Sequence, residues 1–369
     1  MGLFGKKKDE HSGFMGDLSE KQEEALEEFR QIIKEENITD DPRYDDYYLL
    51  RFLRARKFNI KKTLEMFENF LEWRDEKQAN DAMVIYKCPN IDELKEIYHH
   101  GYHKTDKEGR PFYIDQPCTF DITEALSIAD STECEQYYIR EYEKLLHWRL
   151  PACSEAAGYK IEQSFSLINV KGFSMGKLKA KSREFIKIAI KIGQDYYPEI
   201  MGKMFIINTP FVFKAAWAIF SPFIDAKTKK KITMMGSSYK KELFKHVDPE
   251  NVPAEIGGEC ECTSHPKGCF FADEGPWNDH KGDQFYQEAT NKLLEEEKQK
   301  EFEPDSLSNE SMDQAEQESK EVDQNMVDIE LEDSNTNNVQ SKEENNSKRK
   351  KKGGSKGGCC LFLCCAKKS

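Results

Sequence analysis

Two apolar patterns follow each other in the segment 196–258. The first is the short run 204–208, MFIIN, which lies between Gly202 and Pro210. An apolar run of this length, without polar alternation and bounded by residues that interrupt regular structure, is typical of a strand buried on both faces. We therefore predict a buried strand at 204–208.

The second pattern is the segment 211–220, FVFKAAWAIF, in which Lys214 is the only charged residue. Thr209 is a suitable N-cap and Pro210 suits the first helical turn, so we predict a helix that is apolar on nearly every face. Such a helix needs apolar neighbours on more than one side. Two interpretations remain open: a central core helix, or a movable wall of a lipid cavity.

Helical periodicity dominates residues 19–88, after a polar stretch, 1–18, that we expect to be a flexible arm. Ser19 and Gln22 form a capping box at the start of the first helix, and two further helices follow it. Together they predict a helical N-terminal subdomain. The second helix carries a group of basic residues: Arg51, Arg54, Arg56 and Lys57. An ordinary solvated face would explain this group.

From residue 89 to residue 286 strands alternate with helices, which predicts an α/β layer architecture. The predicted elements are strands at 112–115, 163–170 and 232–235 and helices at 131–150 and 173–192. Serine alternates with apolar residues in the segment 163–170, QSFSLINV. Because side chains alternate across a strand, Ser164, Ser166, Ile168 and Val170 are expected on one face.

Charge is distributed unevenly, so the net charge of −13 describes no single part of the chain. Segment 287–346 carries 19 acidic residues against 5 lysines, and the residues from Ser347 onward carry 8 basic residues. After Tyr286 we predict a helix with Leu293 and Leu294. This helix fades into a sequence too poor in apolar residues to fold, so we predict an acidic disordered linker over 287–346. We expect no nucleic-acid partner.

The last segment, 347–369, combines a polybasic block with four cysteines around Leu361-Phe362-Leu363. These are Cys359, Cys360, Cys364 and Cys365. Prenylation requires cysteine at the fourth position from the end, where Ala366 stands, so S-palmitoylation fits better. Acyl chains together with basic charge provide stable anchoring to anionic lipid. We predict a membrane anchor; the alternative is a cysteine-rich tail without lipid.

A second group of cysteines lies at 260–269, where Cys260, Cys262, His265 and Cys269 are residue types that bind zinc. The group lacks a Cys-x-x-Cys pair, however. We expect reduced thiols in a surface loop and no metal or other cofactor, with zinc as the alternative.

No apolar run approaches the roughly 18 residues that a membrane span needs, and the N-terminus, MGLFGKKKDEH, lacks the apolar core of a signal peptide. We therefore expect a cytosolic protein. N-myristoylation at Gly2 is a weaker alternative anchor, because Lys6 stands where the motif has Ser or Thr.

Seven stretches between about 46 and 279 carry a resemblance to a known family. They read LLRFLRARKFNIKKTLEMFENFLEWR, HKTDKEGRPFY, EYEKLLHWRLPACS, NVKGFS, YYPEIMGKMFIINTPFVF, FIDAKTKKKI and GSSYKKELFKHVDPENVPAEIGG. The chain resembles CRAL-TRIO lipid-binding proteins, and more narrowly the phosphatidylinositol/phosphatidylcholine transfer proteins that serve Golgi trafficking. The resemblance implies a helical N-terminal subdomain packed on an α/β lobe whose mixed sheet forms a cavity for one phospholipid.

The resemblance also implies two headgroup sites and a gate. The phosphatidylinositol site falls on Arg56, Lys57, Glu199, Thr228 and Lys231. The phosphatidylcholine site falls on Tyr102, Tyr113, Tyr142, Ser164 and Ser166. The gate, which opens at a membrane, falls on Phe211, Phe213, Trp217, Phe220 and Phe223. The family commonly has Arg immediately after its site glutamate, whereas this chain has Ile200.

These observations favour a monomer that exchanges phosphatidylinositol and phosphatidylcholine and presents phosphatidylinositol to lipid kinases. Its expected location is the cytoplasmic surface of Golgi, endosomal or plasma membranes. The alternative function is a membrane-tethered lipid sensor or scaffold without net transfer. We expect no enzyme, because neither a Gly-rich phosphate loop nor a His-Glu-x-x-His sequence is present.

Overall fold

Three helices build the N-terminal part of the molecule: α1 (Glu20–Glu35), α2 (Asp46–Ala55) and α3 (Ile60–Glu76). The structure is a computed structural model that describes residues 12–302. Ser19 and Gln22 form the predicted capping box at the start of α1. Between the helices the ring of Phe52 meets those of Phe67 and Phe70 with centroids 5.1 and 4.9 Å apart. Aromatic rings thus fill much of this helical core.

Two of the four basic residues in the α2 group are not solvated, contrary to the simplest interpretation of the sequence. Arg51 and Arg54 are both buried. Arg54 forms an ion pair of 3.2 Å with Glu162, which lies just before the sheet, and donates to the carbonyl of Gly13. Phe14 lies under the guanidinium, 3.9 Å from its centre. Part of the predicted flexible arm, residues 12–18, therefore forms an ordered turn against α2.

A five-stranded mixed sheet forms the second part of the molecule, as predicted. Its strands are β1 (His100–Thr105), β2 (Pro111–Asp115), β3 (Ser164–Asn169), β4 (Met201–Ile207) and β5 (Ile232–Met234), paired in this order. β1 and β2 are antiparallel, whereas β2, β3, β4 and β5 are mutually parallel. Every strand except β1 was predicted from the sequence, and the residues of β1 are mostly polar.

Helices surround the sheet and connect its strands. They are α4 (Ala82–Ile85), α5 (Ile91–Ile97), α6 (Ile122–Ile128), α7 (Ser131–Lys144), α8 (Leu150–Ala157), α9 (Ala180–Lys191), α10 (Phe213–Phe220), α11 (Ala226–Lys230), α12 (Lys240–Leu243), α13 (Cys269–Ala272) and α14 (Gln284–Phe302). The helix predicted at 173–192 begins seven residues later, because 173–179 contain Gly176 in a short 3-10 turn.

The two faces of the sheet have different environments. Phe112, Phe165 and Phe205 point to one face and pack with α12 and the segment that follows it. Tyr113 and Ser166, their neighbours along the strands, point to the other face, which lines a cavity. The alternation of side chains along each strand thus separates a closed core from an open wall.

The loop at 260–269 lies at the surface, as expected, but its cysteines are buried. Cys260, Cys262 and Cys269 point inward beside β1, where they form a small cluster of their own, while Glu261, Ser264 and Lys267 are exposed. Free cysteine behaves as a small apolar residue, which is consistent with this inward orientation.

The C-terminal helix α14 contains Leu293 and Leu294, as predicted, and it extends into the first part of the predicted linker. Residues 287–302 are helical, and Ala289 and Leu293 pack against Met83 and Val84 near α4. Residues 303–369, with the predicted palmitoylation sites, lie outside the described residues, so the anchor stays a prediction. Within residues 12–302, no helix is long and apolar enough to cross a membrane.

Candidate functional site

The open face of the sheet forms one wall of a cavity of about 750 Å³. Helices α7, α9 and α10 supply the other walls, and most of the lining side chains are apolar or aromatic. A volume of this size and an apolar lining with a few polar groups are typical of a ligand site. All five residues of the predicted phosphatidylcholine site and four of the predicted phosphatidylinositol site line this cavity.

A charged group lies where β4 and β5 meet α11. Lys231 Nζ lies 3.1 Å from Glu199 Oε2 and donates to the carbonyl of Met201 at 2.9 Å. Lys227 Nζ lies 3.0 Å from the other oxygen, Glu199 Oε1. Glu199 and Lys231 are both residues of the predicted phosphatidylinositol site, whereas Lys227 was not predicted from the sequence. Two cations therefore share one carboxylate at the cavity edge.

The backbone conformation of Glu199 is fixed by its neighbours, and the two lysines keep its side chain ionised. Its φ of 61° is unusual for a residue with a side chain, and Gln163 Nε2 holds its carbonyl at 2.9 Å. Burial would raise the pKa of Glu199, but Lys231 and Lys227 outweigh burial and keep this pKa below its usual value. Glu199 is therefore a carboxylate at neutral pH, and it orients both lysines.

Asp225, another residue missed by the sequence analysis, fixes the start of α11. Its side chain caps the helix by accepting from the backbone amides of Lys227 and Thr228 at 2.7 and 2.9 Å. The Thr228 hydroxyl also donates to Asp225. Because that proton is in use, Thr228 can donate to a ligand phosphate only after it leaves Asp225.

Arg56, Lys57 and Ile200 were also considered from the sequence, and they differ in whether they line the cavity. Arg56 lines the cavity, but Lys57 is exposed and lies outside the lining. Ile200 is buried and contributes to the cavity wall. The structure thus brings together Arg56, Glu199, Thr228 and Lys231 but not Lys57.

Four of the five residues of the predicted choline site lie on the open face of the sheet, and the fifth, Tyr142, lines the cavity from α7. Tyr113 on β2 is the registered partner of Ser166 on β3, and the rings of Tyr113 and Tyr102 lie 5.0 Å apart. Ser164 and Ser166 share the cavity face, which confirms the expectation from alternation. Within residues 12–302, neither serine hydroxyl forms a hydrogen bond, so both remain available to a ligand.

The rings of Tyr102 and Tyr142 each contact another aromatic or charged side chain. The Arg149 guanidinium lies 4.5 Å from the ring centroid of Tyr102, and Tyr142 stacks on Tyr197 with centroids 4.3 Å apart. Burial raises the pKa of Tyr142 to about 12, so its hydroxyl stays a neutral donor at physiological pH. A ligand ammonium group therefore has the free surfaces of Tyr113 and Tyr142 within reach.

Asp115 is a cavity residue that the sequence analysis missed. It follows Tyr113 by two positions on β2, so alternation alone would have placed it on the same wall. Its Oδ1 atom is buried and has no hydrogen-bond partner among residues 12–302. Burial raises the pKa of this carboxyl to about 7. Asp115 is thus a proton-binding group within the cavity at neutral pH.

This raised pKa makes the stability of the protein depend on pH. An unfolded aspartate titrates near pH ~3.9 and the folded one near 7, so the folded state binds the extra proton between these values. The contribution of Asp115 to the free energy of unfolding is therefore largest below about pH 4 and is lost as the pH rises toward 7.

We expect the Asp115→Asn variant to have a higher free energy of unfolding than the parent at pH 8, by about 1 kcal/mol or more. Urea unfolding of both proteins at pH 5 and pH 8 measures this difference. The exposed Asp40→Asn serves as the matched control and should change neither value. An Asp115→Asn effect of equal size at both pH values would contradict the assignment.

Residues 172–176, GFSMG, have the Gly-x-Ser-x-Gly pattern. In hydrolases this sequence places an activated serine on a sharp strand-to-helix turn, next to a histidine. Here Ser174 is exposed beside a 3-10 turn, and within residues 12–302 no histidine or carboxylate forms a hydrogen bond with its hydroxyl. Ser174 has none of the partners that make serine a nucleophile.

Helix α10 forms the outer wall of the cavity and is not a core helix. Of its residues only Ala216 is fully buried. Phe213, Trp217 and Phe220 line the cavity, and Phe223 beyond the helix lines it while remaining 48% exposed. The core interpretation is therefore wrong: one face of α10 meets the cavity and the opposite face meets solvent.

The N-terminal end of α10 differs from its prediction. The helix begins at Phe213, and Thr209 does not cap it, because the Thr209 hydroxyl donates to the carbonyl of Met235 at 2.9 Å. Phe211 precedes the helix and is 84% exposed, outside the cavity lining. The predicted gate thus has an inner part that faces the cavity and an outer part that faces solvent.

Sequence comparison identifies both parts of this architecture. Residues 95–258 match the CRAL/TRIO domain, and residues 14–69 match the CRAL/TRIO N-terminal domain. The crystal structure of Sfh5 superposes with a TM-score of 0.57 and 16% identity, covering 75% of this chain and 98% of that chain. This last likeness is one of fold alone.

Several curated relatives extend the comparison. The chain is 38% identical over 268 residues to the SEC14 cytosolic factor of Kluyveromyces lactis, covering 73% of this chain and 88% of the relative. It is 36% identical over 259 residues to the phosphatidylinositol/phosphatidylcholine transfer protein SFH7 of Arabidopsis thaliana, covering 69% of this chain and 46% of the relative. The chain belongs to the CRAL/TRIO family, in the branch that contains the SEC14 cytosolic factors.

Proposed function

We propose that the cavity holds one phospholipid and that the protein exchanges phosphatidylinositol and phosphatidylcholine between membranes. The observation that carries this proposal is the placement of two chemically different groups on one apolar cavity. A cationic group around Lys231 lies at the edge, and unpaired serine hydroxyls with tyrosine rings lie on the sheet wall. Relatives that are named as transfer proteins for these two lipids support the same assignment.

The two groups suit the two headgroups. An inositol phosphate presents an anion and several hydroxyls, for which Lys231 and Arg56 supply charge-assisted donors and Glu199 an acceptor. A phosphocholine presents a quaternary ammonium, which tyrosine faces attract, and a phosphate that the hydroxyls of Ser164 and Ser166 can reach. Acyl chains fill the apolar remainder of the cavity in both cases.

A transfer assay tests this function against its alternative. The full chain is incubated with donor vesicles that contain labelled phosphatidylinositol or phosphatidylcholine and with unlabelled acceptor vesicles. The proposal predicts protein-dependent movement of both labels. A membrane-tethered sensor or scaffold, which the predicted anchor at 347–369 favours, would bind lipid without moving either label. Presentation of phosphatidylinositol to a lipid kinase and service to Golgi trafficking stay predictions.

The exposed apolar residues around α10 should matter for transfer but not for stability. Because Phe211 and Phe223 already contact solvent, the variants Phe211→Ser and Phe223→Ser should keep the free energy of unfolding within about 0.5 kcal/mol. Their transfer rates should fall several-fold, since docking to a membrane loses apolar area. Stopped-flow transfer and urea unfolding measure the two effects.

The matched control for these variants is Ile85→Ser, which removes an exposed apolar side chain from α4, outside the cavity lining. Its transfer rate should equal that of the parent. Equal slowing by Ile85→Ser and Phe211→Ser would show that α10 has no special part in docking.

A further inference from the structure

A cluster of four metal-binding residue types lies outside the lipid cavity. It consists of His103 on β1, Cys260 and Cys262 in the loop before α13, and Cys269 at the start of α13. All four residues are buried, and their potential ligand atoms all lie within 4.8 Å of one another. We propose that this cluster is a structural zinc site with three thiolate ligands and one imidazole ligand.

The distances in the cluster fit a tetrahedral ion. Zinc–sulfur bonds of about 2.3 Å at tetrahedral angles separate two sulfur ligands by about 3.7 Å. The sulfur atoms of Cys260 and Cys262 lie 3.6 Å apart, and Cys262 Sγ lies 3.8 Å from the His103 ring nitrogens. The four side chains need to move only slightly to bring their ligand atoms to one ion.

The chemistry of the donor set also favours zinc. Three cysteines and one histidine without an open position form a closed set of the kind found in structural zinc sites. A disulfide does not explain the cluster, because 3.6 Å is far longer than the roughly 2.05 Å of a sulfur–sulfur bond. The other buried cysteines of residues 12–302 belong to no such group of ligands: Cys88, Cys118, Cys134 and Cys153.

The surroundings can accept the change in charge when zinc binds. The Cys262 thiol donates to Glu274 Oε2 at 3.2 Å, and coordination releases this proton together with those of the other two thiols. Glu274 then keeps two partners, the Ser264 hydroxyl at 3.4 Å and Lys104 Nζ at 3.8 Å from its carboxylate oxygens. Three thiolates and one zinc ion carry a net charge of −1, and the Lys104 ammonium interacts favourably with the Cys260 and Cys262 thiolates as well as with Glu274.

The site would attach an edge strand to the C-terminal part of the fold. β1 pairs with only one neighbour in the sheet, and it carries Tyr102 on the cavity face next to His103. An ion held by His103 and the loop fixes β1 from the side opposite to the cavity. Zinc would therefore stabilise the wall that carries part of the proposed choline site, without contacting the lipid.

Elemental mass spectrometry of the untagged full chain, purified under reducing conditions, tests the proposal. We expect about one zinc ion per chain. Replacement of zinc by Co²⁺ should give the visible absorption of tetrahedral cobalt with thiolate charge-transfer bands. Cys262→Ser and Cys269→Ser should lose most of the metal, whereas Cys153→Ser, which removes a buried cysteine outside the cluster, should keep it.

Three further measurements separate loss of metal from loss of fold. The variant His103→Cys should retain the ion with a shifted cobalt spectrum, because four thiolates also form a tetrahedral site. In the parent protein, a thiol-specific mercurial should release zinc to an indicator dye, and chelation should lower the thermal midpoint. Parent protein with well below one equivalent of zinc and no cobalt band after incubation, or equal metal in all variants, would overturn the proposal.

Discussion

Lys231→Ala should reduce loading with phosphatidylinositol about ten- to a hundredfold while leaving phosphatidylcholine loading almost unchanged. A hydrogen bond to a charged group contributes about 1.5–3 kcal/mol, and about 1.4 kcal/mol corresponds to a tenfold change in affinity. The Lys231 ammonium pairs with Glu199, whereas Ser166 lies on the sheet wall beside Tyr113. Mass spectrometry of lipids extracted from protein equilibrated with mixed vesicles measures both loadings at once.

This variant should remain folded because Glu199 keeps a cation. Lys227 lies 3.0 Å from its second oxygen, so removal of Lys231 does not leave a buried carboxylate unpaired. Lys230→Ala is the matched control, since Lys230 is an exposed lysine of the same helix outside the cavity lining. Equal loss of both lipids in Lys231→Ala would show that Lys231 supports the cavity in general and does not select inositol.

Ser166→Leu should have the opposite selectivity, with phosphatidylcholine loading lowered about tenfold or more. The change removes a free hydroxyl donor and places a branched side chain beside Tyr113, and overpacking of this kind costs about 1–3 kcal/mol. Phosphatidylinositol should still bind, because its headgroup contacts lie at the charged group. We expect the same direction for Ser164→Leu. The same lipid extraction measures the effect.

Ser166→Thr is the conservative variant for this test. It keeps the hydroxyl and adds one methyl group, so it should recover most of the phosphatidylcholine loading. Unchanged phosphatidylcholine binding in both leucine variants would contradict the assignment of the serines. A parallel loss of both lipids would show that the sheet wall serves the acyl chains and not one headgroup.

Local patterns were sufficient to predict the sheet wall. The apolar run in β4 and the serine alternation in β3 both indicated their structure, because a strand places alternate residues on opposite faces. The same rule explains why Asp115 belongs to the cavity, although only its neighbour Tyr113 was assigned there. Residues on regular strands are predictable because their directions follow from their spacing.

Contacts between distant segments could not be predicted in this way. The thiol of Cys262 meets His103, which lies 159 residues earlier, and Arg54 pairs with Glu162 at a separation of 108 residues. Helix α10 was apolar enough for the core, yet its position at the cavity edge left one face in solvent. Composition gives the polarity of an element, and only the fold decides what covers each of its faces.

The central claim is that one cavity holds either lipid, and native mass spectrometry of the full chain tests it most directly. The chain is incubated with vesicles that contain phosphatidylinositol and phosphatidylcholine, and the intact complexes are weighed. We predict one phospholipid per chain, with an excess of either lipid displacing the other. Complexes that carry both lipids at once, or chains that carry no phospholipid, would contradict the claim.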